Sequence, residues 1–314
     1  MNRVTAVAAL ATVLSPLALA PAALAEGPFG LHLDGTIGES GFGKYVPPLL
    51  NPVFNETPHI TTEAKPFIAY HDVPDDFISN GGRVIAAGLQ LRAAITERFG
   101  LIATLDGYSD LGFDDTLSDD GGFNDLGFGA KYAFLYDPAA GYIATAGLRY
   151  TAPIGNLDTN VLGLAGSNID LNGTGAGYLN PFVTGRYDIG ALGLQASVGG
   201  QIALSDDNWS FIHASTHVDY EVVENLFPFA ELNIFAPVDG GDSVVNDVGL
   251  TQLTGADIAD VGAEDPQTMV LLGGGMRYRV HDNAILGIGV EGNLTNREDT
   301  IYGWRFIADA VIHF

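Results

Sequence analysis

The amino-acid sequence predicts an all-β protein: a transmembrane, up-and-down antiparallel barrel of about twelve strands, preceded by an irregular N-terminal segment. Three observations carry this prediction. Segments alternating apolar and polar residues recur from about Thr61 to the last residue. The connections between them tend to alternate short and long. Aromatic side chains collect near both ends of the apolar faces.

The bulk composition agrees. Hydrophobic residues make up 47% of the 314, and mean hydropathy is +0.20. Yet beyond the first 25 residues there is no run of about 20 apolar residues, hence no transmembrane helix. A barrel strand reconciles the two, because it shows lipid an apolar face and turns a polar one to the lumen. A large soluble β-sandwich shares this composition, so the decision falls to the strands. The formal charge of -25 argues against nucleic acid and against adhesion to anionic lipid. Absence of cysteine excludes a disulfide scaffold and any thiolate metal or redox site.

Residues 1–25 read as an export signal. Arg3 gives a positive start, Val4 to Ala20 is apolar, and Ala23-Leu24-Ala25 is a small-x-small site cleaved after Ala25. The expected organisation is a signal at 1–25, an irregular segment at 26–60 and the barrel at 61–314, in an outer membrane.

Strands are expected near 61–72, 83–97, 100–111, 124–136, 142–154, 177–187, 191–204, 209–221, 226–236, 267–280, 284–295 and 301–314. Each suffices for a tilted crossing, which takes about 9–11 residues. The connections after the second, fourth, sixth, eighth and tenth strands are short, from Arg98-Phe99 to His281-Asp282-Asn283. Among the alternate connections, Asn156–Ala176 and Pro237–Pro266 are long, while Ser205–Asn208 and Asn296–Thr300 are short. Short periplasmic turns and longer outer loops place both barrel termini on the periplasmic side.

Parity sorts the faces. Ile85, Leu89 and Leu91 oppose Gln90 and Arg92; Leu126, Phe128 and Tyr132 oppose Asp125 and Lys131; Ile212, Val218 and Tyr220 oppose His213, His217 and Asp219. One aromatic girdle is expected from Tyr132, Tyr136, Tyr142, Tyr187, Tyr220, Tyr278 and Phe314. The other is expected from Tyr70, Tyr150, Tyr302 and Trp304. The last strand alternates Trp304, Phe306, Ala308, Ala310, Ile312 and Phe314 with Arg305, Asp309 and His313. Its terminal Phe314 resembles the signal by which barrel assembly machinery recognises outer-membrane proteins. The segment Glu26 to Ile60, with Pro47-Pro48 and Pro52, either threads the lumen as a plug or caps it from the periplasm. The plug is favoured.

Gly122-Phe123-Asn124-Asp125-Leu126-Gly127-Phe128-Gly129-Ala130-Lys131-Tyr132 resembles a signature of the outer-membrane channels grouped under the meta-cleavage pathway of phenol degradation. Tyr150-Thr151-Ala152-Pro153-Ile154-Gly155 and Pro228-Phe229-Ala230-Glu231-Leu232-Asn233 are also similar to that family. The resemblance spans most of 61–314, through short motifs, and implies uptake of small, aromatic or hydrophobic molecules. The N-terminal segment is not part of the family pattern.

Catalytic and metal chemistry find little support. His213-Ala214-Ser215 puts a histidine and a serine on one strand face, but parity turns them to the lumen, away from lipid chains. His213 and His217 lie roughly 13 Å apart on a strand and cannot share an ion unaided. The run Asp114 to Gly121 lacks the spacing and terminal Glu of a calcium loop. Gly273-Gly274-Gly275 has no following helix to cradle phosphate, and eases curvature or close backbone approach instead. No cofactor is expected, and the protein reads as no enzyme.

Charge placement is the remaining signal. Lys65, Arg92, Lys131, Arg149, Arg186, Arg277, Arg279 and Arg305 fall on predicted lumen faces. Acidic lumen residues include Glu63, Asp106, Asp110, Asp125, Asp219, Glu231, Glu291 and Asp309. Such charges pair across strands simply to satisfy a polar interior, or form a transverse field in a pore. The expected function is passage of small solutes through a charge-lined lumen, with lipid, lipopolysaccharide and the assembly machinery as partners. The alternative is a non-conducting structural or interaction barrel with acidic surface loops.

Overall fold

Alternation closes into a cylinder once every strand has two neighbours. The computed structural model describes residues 42–164, 166–206, 208–242, 255, 257–261, 263–295 and 300–314, without the side chains of Leu105 and Asp106. The expected signal, residues 26–41 and the Asp106 side chain therefore lie outside the described residues.

Among the described residues, fifteen strands follow in order. They are β1 (Glu63–Val73), β2 (Gly82–Ala94), β3 (Phe99–Phe113), β4 (Asp120–Phe123), β5 (Leu126–Asp137), β6 (Tyr142–Ala152), β7 (Asp158–Asn160) and β8 (Asn168–Asp170). Then come β9 (Tyr178–Ile189), β10 (Leu192–Ala203), β11 (Ser210–Tyr220), β12 (Leu226–Asp239), β13 (Met269–His281), β14 (Ala284–Asn293) and β15 (Trp304–His313). β4 and β5 both pair with β3 and form one stave interrupted at Asn124-Asp125. β7 and β8 make a separate hairpin within an outer loop. The remaining pairings are antiparallel between neighbours, and β1 pairs with β15 from Glu63↔His313 to Asp72↔Trp304. The result is a closed twelve-stave barrel without a free edge, the one sheet form that satisfies every backbone group inside a bilayer.

The outward face is apolar. Leu91, Leu148, Leu194, Val198, Ile212, Leu272 and Ile288 all stand exposed on it. Tyr132, Tyr142, Tyr187, Tyr220, Tyr278 and Phe314 ring the end bearing the short turns. Tyr70 and Trp304, with ring centroids 5.6 Å apart, lie towards the other end, as do Tyr108 and Phe123.

Three sequence assignments are corrected. A bulge between Ala87 and Leu89, opposite Gly107, inverts the parity of upper β3. Gly107 has φ +83°, and a Cβ there would collide with the Ala87 carbonyl, so glycine is required. Asp110 consequently faces outward, next to Arg83 at 3.7 Å, and not the lumen. A second bulge between Ala133 and Leu135 turns Tyr136 inward against Phe42. Tyr302 precedes β15, leaves the girdle and is fully buried against His71.

Candidate functional site: the filled lumen

The inward face is polar, and residues 42–62 run through it. This segment carries Pro47, Pro48, Pro52 and Pro58, which lack an N–H and prevent a helix or a strand ladder. Its backbone carbonyls must therefore find donors elsewhere, since a buried unpaired polar group costs about 1–3 kcal/mol. The wall supplies them.

Seven of the eight predicted lumen cations hold this segment. Lys65 Nζ donates to the Pro48 carbonyl at 3.0 Å, and Arg277 donates to those of Pro47 and Pro48. Arg305 reaches the Leu50 carbonyl, Arg149 that of Val53 at 2.7 Å, and Lys131 that of Thr57 at 2.8 Å. Arg186 reaches Val46 at 3.4 Å. Arg92 instead grips the Glu56 carboxylate with two bonds, Nε at 2.7 Å and Nη2 at 2.8 Å. Neutral donors complete the set: Gln90 to Pro52, Thr145 to Pro58 and Thr184 to Glu56. Arg279 differs. It lies over the Phe227 ring at 5.8 Å, and its Nε and Nη2 have no hydrogen-bond partner among the described residues.

Carboxylates neutralise these cations locally. Asp309 takes Arg277 at 2.8 Å and Lys65 at 3.5 Å. Glu63 takes Arg92 at 2.7 Å, and Glu56 also takes Lys131 at 2.8 Å. Glu291 and Asp257 share Arg305. Asp219 takes Arg186 at 2.7 Å and Lys44 at 2.5 Å. Glu231 does different work: its two oxygens accept the N–H groups of Leu49 and Leu50 at 2.8 and 3.0 Å, while His217 lies 2.9 Å away. Asp125 accepts the Gly155 N–H at 2.7 Å.

Close approach of the segment also depends on missing side chains. A Cβ on Gly289 would stand 2.7 Å from Leu50 Cδ2 and 3.1 Å from Leu49 Cδ2. Both leucines pack there on Phe229 and Ile307. At the end bearing the short turns Phe42 and Ile60 pack on Ala94, Ala133 and Ile143.

Above the segment, part of the β12–β13 connection folds inward. Asp257 binds Arg305 and Tyr302, and the Asp260 carbonyl accepts the Tyr178 hydroxyl at 2.9 Å. Ile258, Ala259, Val261 and Ala263 join an apolar cluster with Trp209, Phe235, Met269 and Ile301. The lumen is thus occupied at two levels.

The histidine–serine pair is covered as well. Phe54 packs on His213 at 5.0 Å, and Asn51 Nδ2 donates to Ser215 Oγ at 3.4 Å. Among the loops, Asp158 is raised by burial and by neighbouring Asp120 and Asp170, a locally acidic outer surface.

Sequence reasoning missed Lys44, Glu56 and Asp257. A partial signal existed for Glu56: the one carboxylate within the proline-rich residues 42–62.

Comparison with known proteins supports the architecture. No family model matches the chain, and no curated protein does. Among solved structures, it is similar to an outer membrane channel from Pseudomonas putida F1. The TM-score is 0.54 at 13% identity, covering 86% of this chain and 100% of that one. It is also similar to the NanC porin, with a TM-score of 0.50 at 7% identity, covering 80% and 100%. At such identities the likeness shows the fold: an outer-membrane-type β-barrel.

Proposed function

We propose that this protein is an outer-membrane channel for small solutes whose resting lumen is closed by its own segment 42–62 and by the inward part of the β12–β13 connection. One observation carries the reading. The twelve-stave wall closes without the segment, which over residues 42–60 is bound to it by side chains and, among the described residues, shares no strand ladder with it. An element held this way can leave while the barrel stays folded. Once it leaves, Arg92, Lys131, Arg149, Arg277 and Arg305 lose their partners in the segment and line the path beside Glu63, Glu291 and Asp309, so the open pore is charge-lined with the Glu56 carboxylate removed.

The motifs shared with the phenol meta-cleavage channels support small aromatic or hydrophobic compounds as the solute class. The signal at 1–25 and terminal Phe314 support export and insertion by the assembly machinery, with lipopolysaccharide around the outer loops. A second reading, a non-conducting interaction barrel, is favoured by the double occupancy of the lumen and by the acidic surface at Asp120, Asp158 and Asp170.

Planar-bilayer recording separates the two. The full chain should conduct rarely, and deletion of residues 42–58 should open it while the protein still migrates as a heat-modifiable barrel. A folded variant that stays closed after both residues 42–58 and the inward part of the β12–β13 connection are removed would leave the interaction barrel as the function.

A further inference from the structure

Between the lumen segment and the inward connection lies a cavity with a free volume of about 60 Å³. That is space for several water-sized groups. Its walls are of mixed chemistry. Phe54, Phe67 and Ile258 are among its apolar lining groups, and Asp125, Asp257, Asp260 and Arg305 among its polar ones.

The charge of the polar groups is unbalanced. Arg305, the cation of this lining, is already shared by Asp257 and by Glu291 behind it. Among the described residues, Asp125 has no such partner. It is only 2% exposed, and its Oδ1 accepts the Gly155 N–H. Its Oδ2 is buried without a hydrogen-bond partner among the described residues. A carboxylate oxygen left this way is costly unless something donates to it. The donor must fit a space that Asp125 lines together with aromatic and aliphatic groups.

We propose that this cavity is a binding site for a small organic ammonium ion, anchored by Asp125 Oδ2, with its short alkyl part against Phe54, Phe67 and Ile258. An ammonium brings N–H donors and the missing positive charge together. An anion of the same size meets three carboxylates and one neutralised arginine. The site rests on the channel reading only for the route by which the ion arrives.

The test uses the full chain refolded into detergent with ethylammonium chloride present, so that entry does not depend on opening. The temperature at which the compact band is lost reports binding, because a ligand of the folded state raises it. Ethylammonium should raise it saturably at matched ionic strength, and acetate and ethanol should not. Asp125→Asn keeps an oxygen for the Gly155 N–H and should weaken the apparent affinity about tenfold, the decade expected for a lost bond to a charged group. Ala86→Leu, which fills the cavity from the wall, should also lose the effect; Asp282→Asn in a periplasmic turn should keep it. No saturable rise with ethylammonium, an equal rise with acetate, or an undiminished rise in Asp125→Asn would overturn the site. Conductance is recorded separately. Binding without conductance removes the channel and leaves the site, and conductance without binding does the reverse.

Discussion

The wall and the segment inside it are built on opposite principles. Neighbouring staves exchange backbone hydrogen bonds all round the ring, and their side chains serve two solvents. Among the described residues between 42 and 60, one backbone–backbone bond is internal to the segment, Asn55 N to Asn51 O at 3.0 Å. Its remaining polar backbone contacts with the barrel go to side chains: arginine, lysine, glutamine and threonine for its carbonyls, and Glu231 for two of its N–H groups. A ladder is lost only with the fold. Side-chain contacts can be exchanged for water one at a time, since a flooded lumen offers each arginine a new partner. The wall is therefore the permanent part and the segment the removable one.

The largest effect should follow from breaking the wall. Phe314 lies outward at the last stave, and its N–H donates to the Thr62 carbonyl at 3.1 Å, across the closing seam. Phe314→Asp should abolish membrane insertion, seen as loss of heat-modifiable protein from the membrane fraction. Normal levels would remove the seam from the account. Next comes the boundary between wall and segment. Arg277→Gln leaves Asp309 and the Pro48 carbonyl with Lys65 alone and takes the donor from the Pro47 carbonyl, and breaking a buried pair costs about 3–5 kcal/mol. The same substitution in a chain lacking 42–58 should cost below about 1 kcal/mol, because a water-filled lumen hydrates Asp309. Denaturant midpoints in both backgrounds measure the difference. Equal costs would mean that Arg277 belongs to the wall alone.

A third contrast runs across one strand. Leu194 faces lipid and Gln195 faces the segment, where its amide donates to the Asn55 side chain at 3.2 Å. Leu194→Arg should destabilise the protein by about 2–4 kcal/mol near the bilayer midplane, with or without the segment. Gln195→Arg should disturb the full chain and be tolerated after deletion of 42–58. Unfolding midpoints in lipid and in detergent decide whether both faces obey their solvents.

Much of the wall was legible in the sequence because period-2 alternation is local. All twelve staves were visible, with boundaries shifted by a few residues. Of the three corrected assignments, that of Tyr302 came from a last stave that starts later than expected, and the other two came from bulges, where one extra residue inverts everything beyond it. Gly107 marks such a place, yet in a chain with 41 glycines a single glycine stands out from nothing. The inward parity of Arg305 and Arg277 was equally readable, but their partners were not. Arg305 meets the Leu50 carbonyl 255 residues away, a contact that no periodicity encodes. Asp257 escaped notice for a related reason: it lies in an irregular loop, and only the fold brings it over the lumen.

The smallest expected effect is the most selective probe of the removable part. Gly289 faces inward on β14, and the atoms nearest a Cβ added there are the ends of Leu50, Leu49 and Phe229. Because no wall backbone stands in the way, Gly289→Ala presses on the segment and hardly on the barrel. Overpacking of a well-filled core costs about 1–3 kcal/mol, and yielding side-chain tips put this case at the low end. About 1 kcal/mol corresponds to roughly a fivefold change in an equilibrium. Gly289→Ala should therefore leave the denaturant midpoint of the barrel lacking 42–58 unchanged, while raising the fraction of time the full chain conducts about fivefold. Gly185→Ala is the control, since a Cβ there meets Ile143 and Ala144 of the neighbouring stave at 3.5 Å or more and does not approach the segment. If both substitutions alter conduction alike, segment packing does not set the closed state, and the inward β12–β13 connection becomes the element to displace.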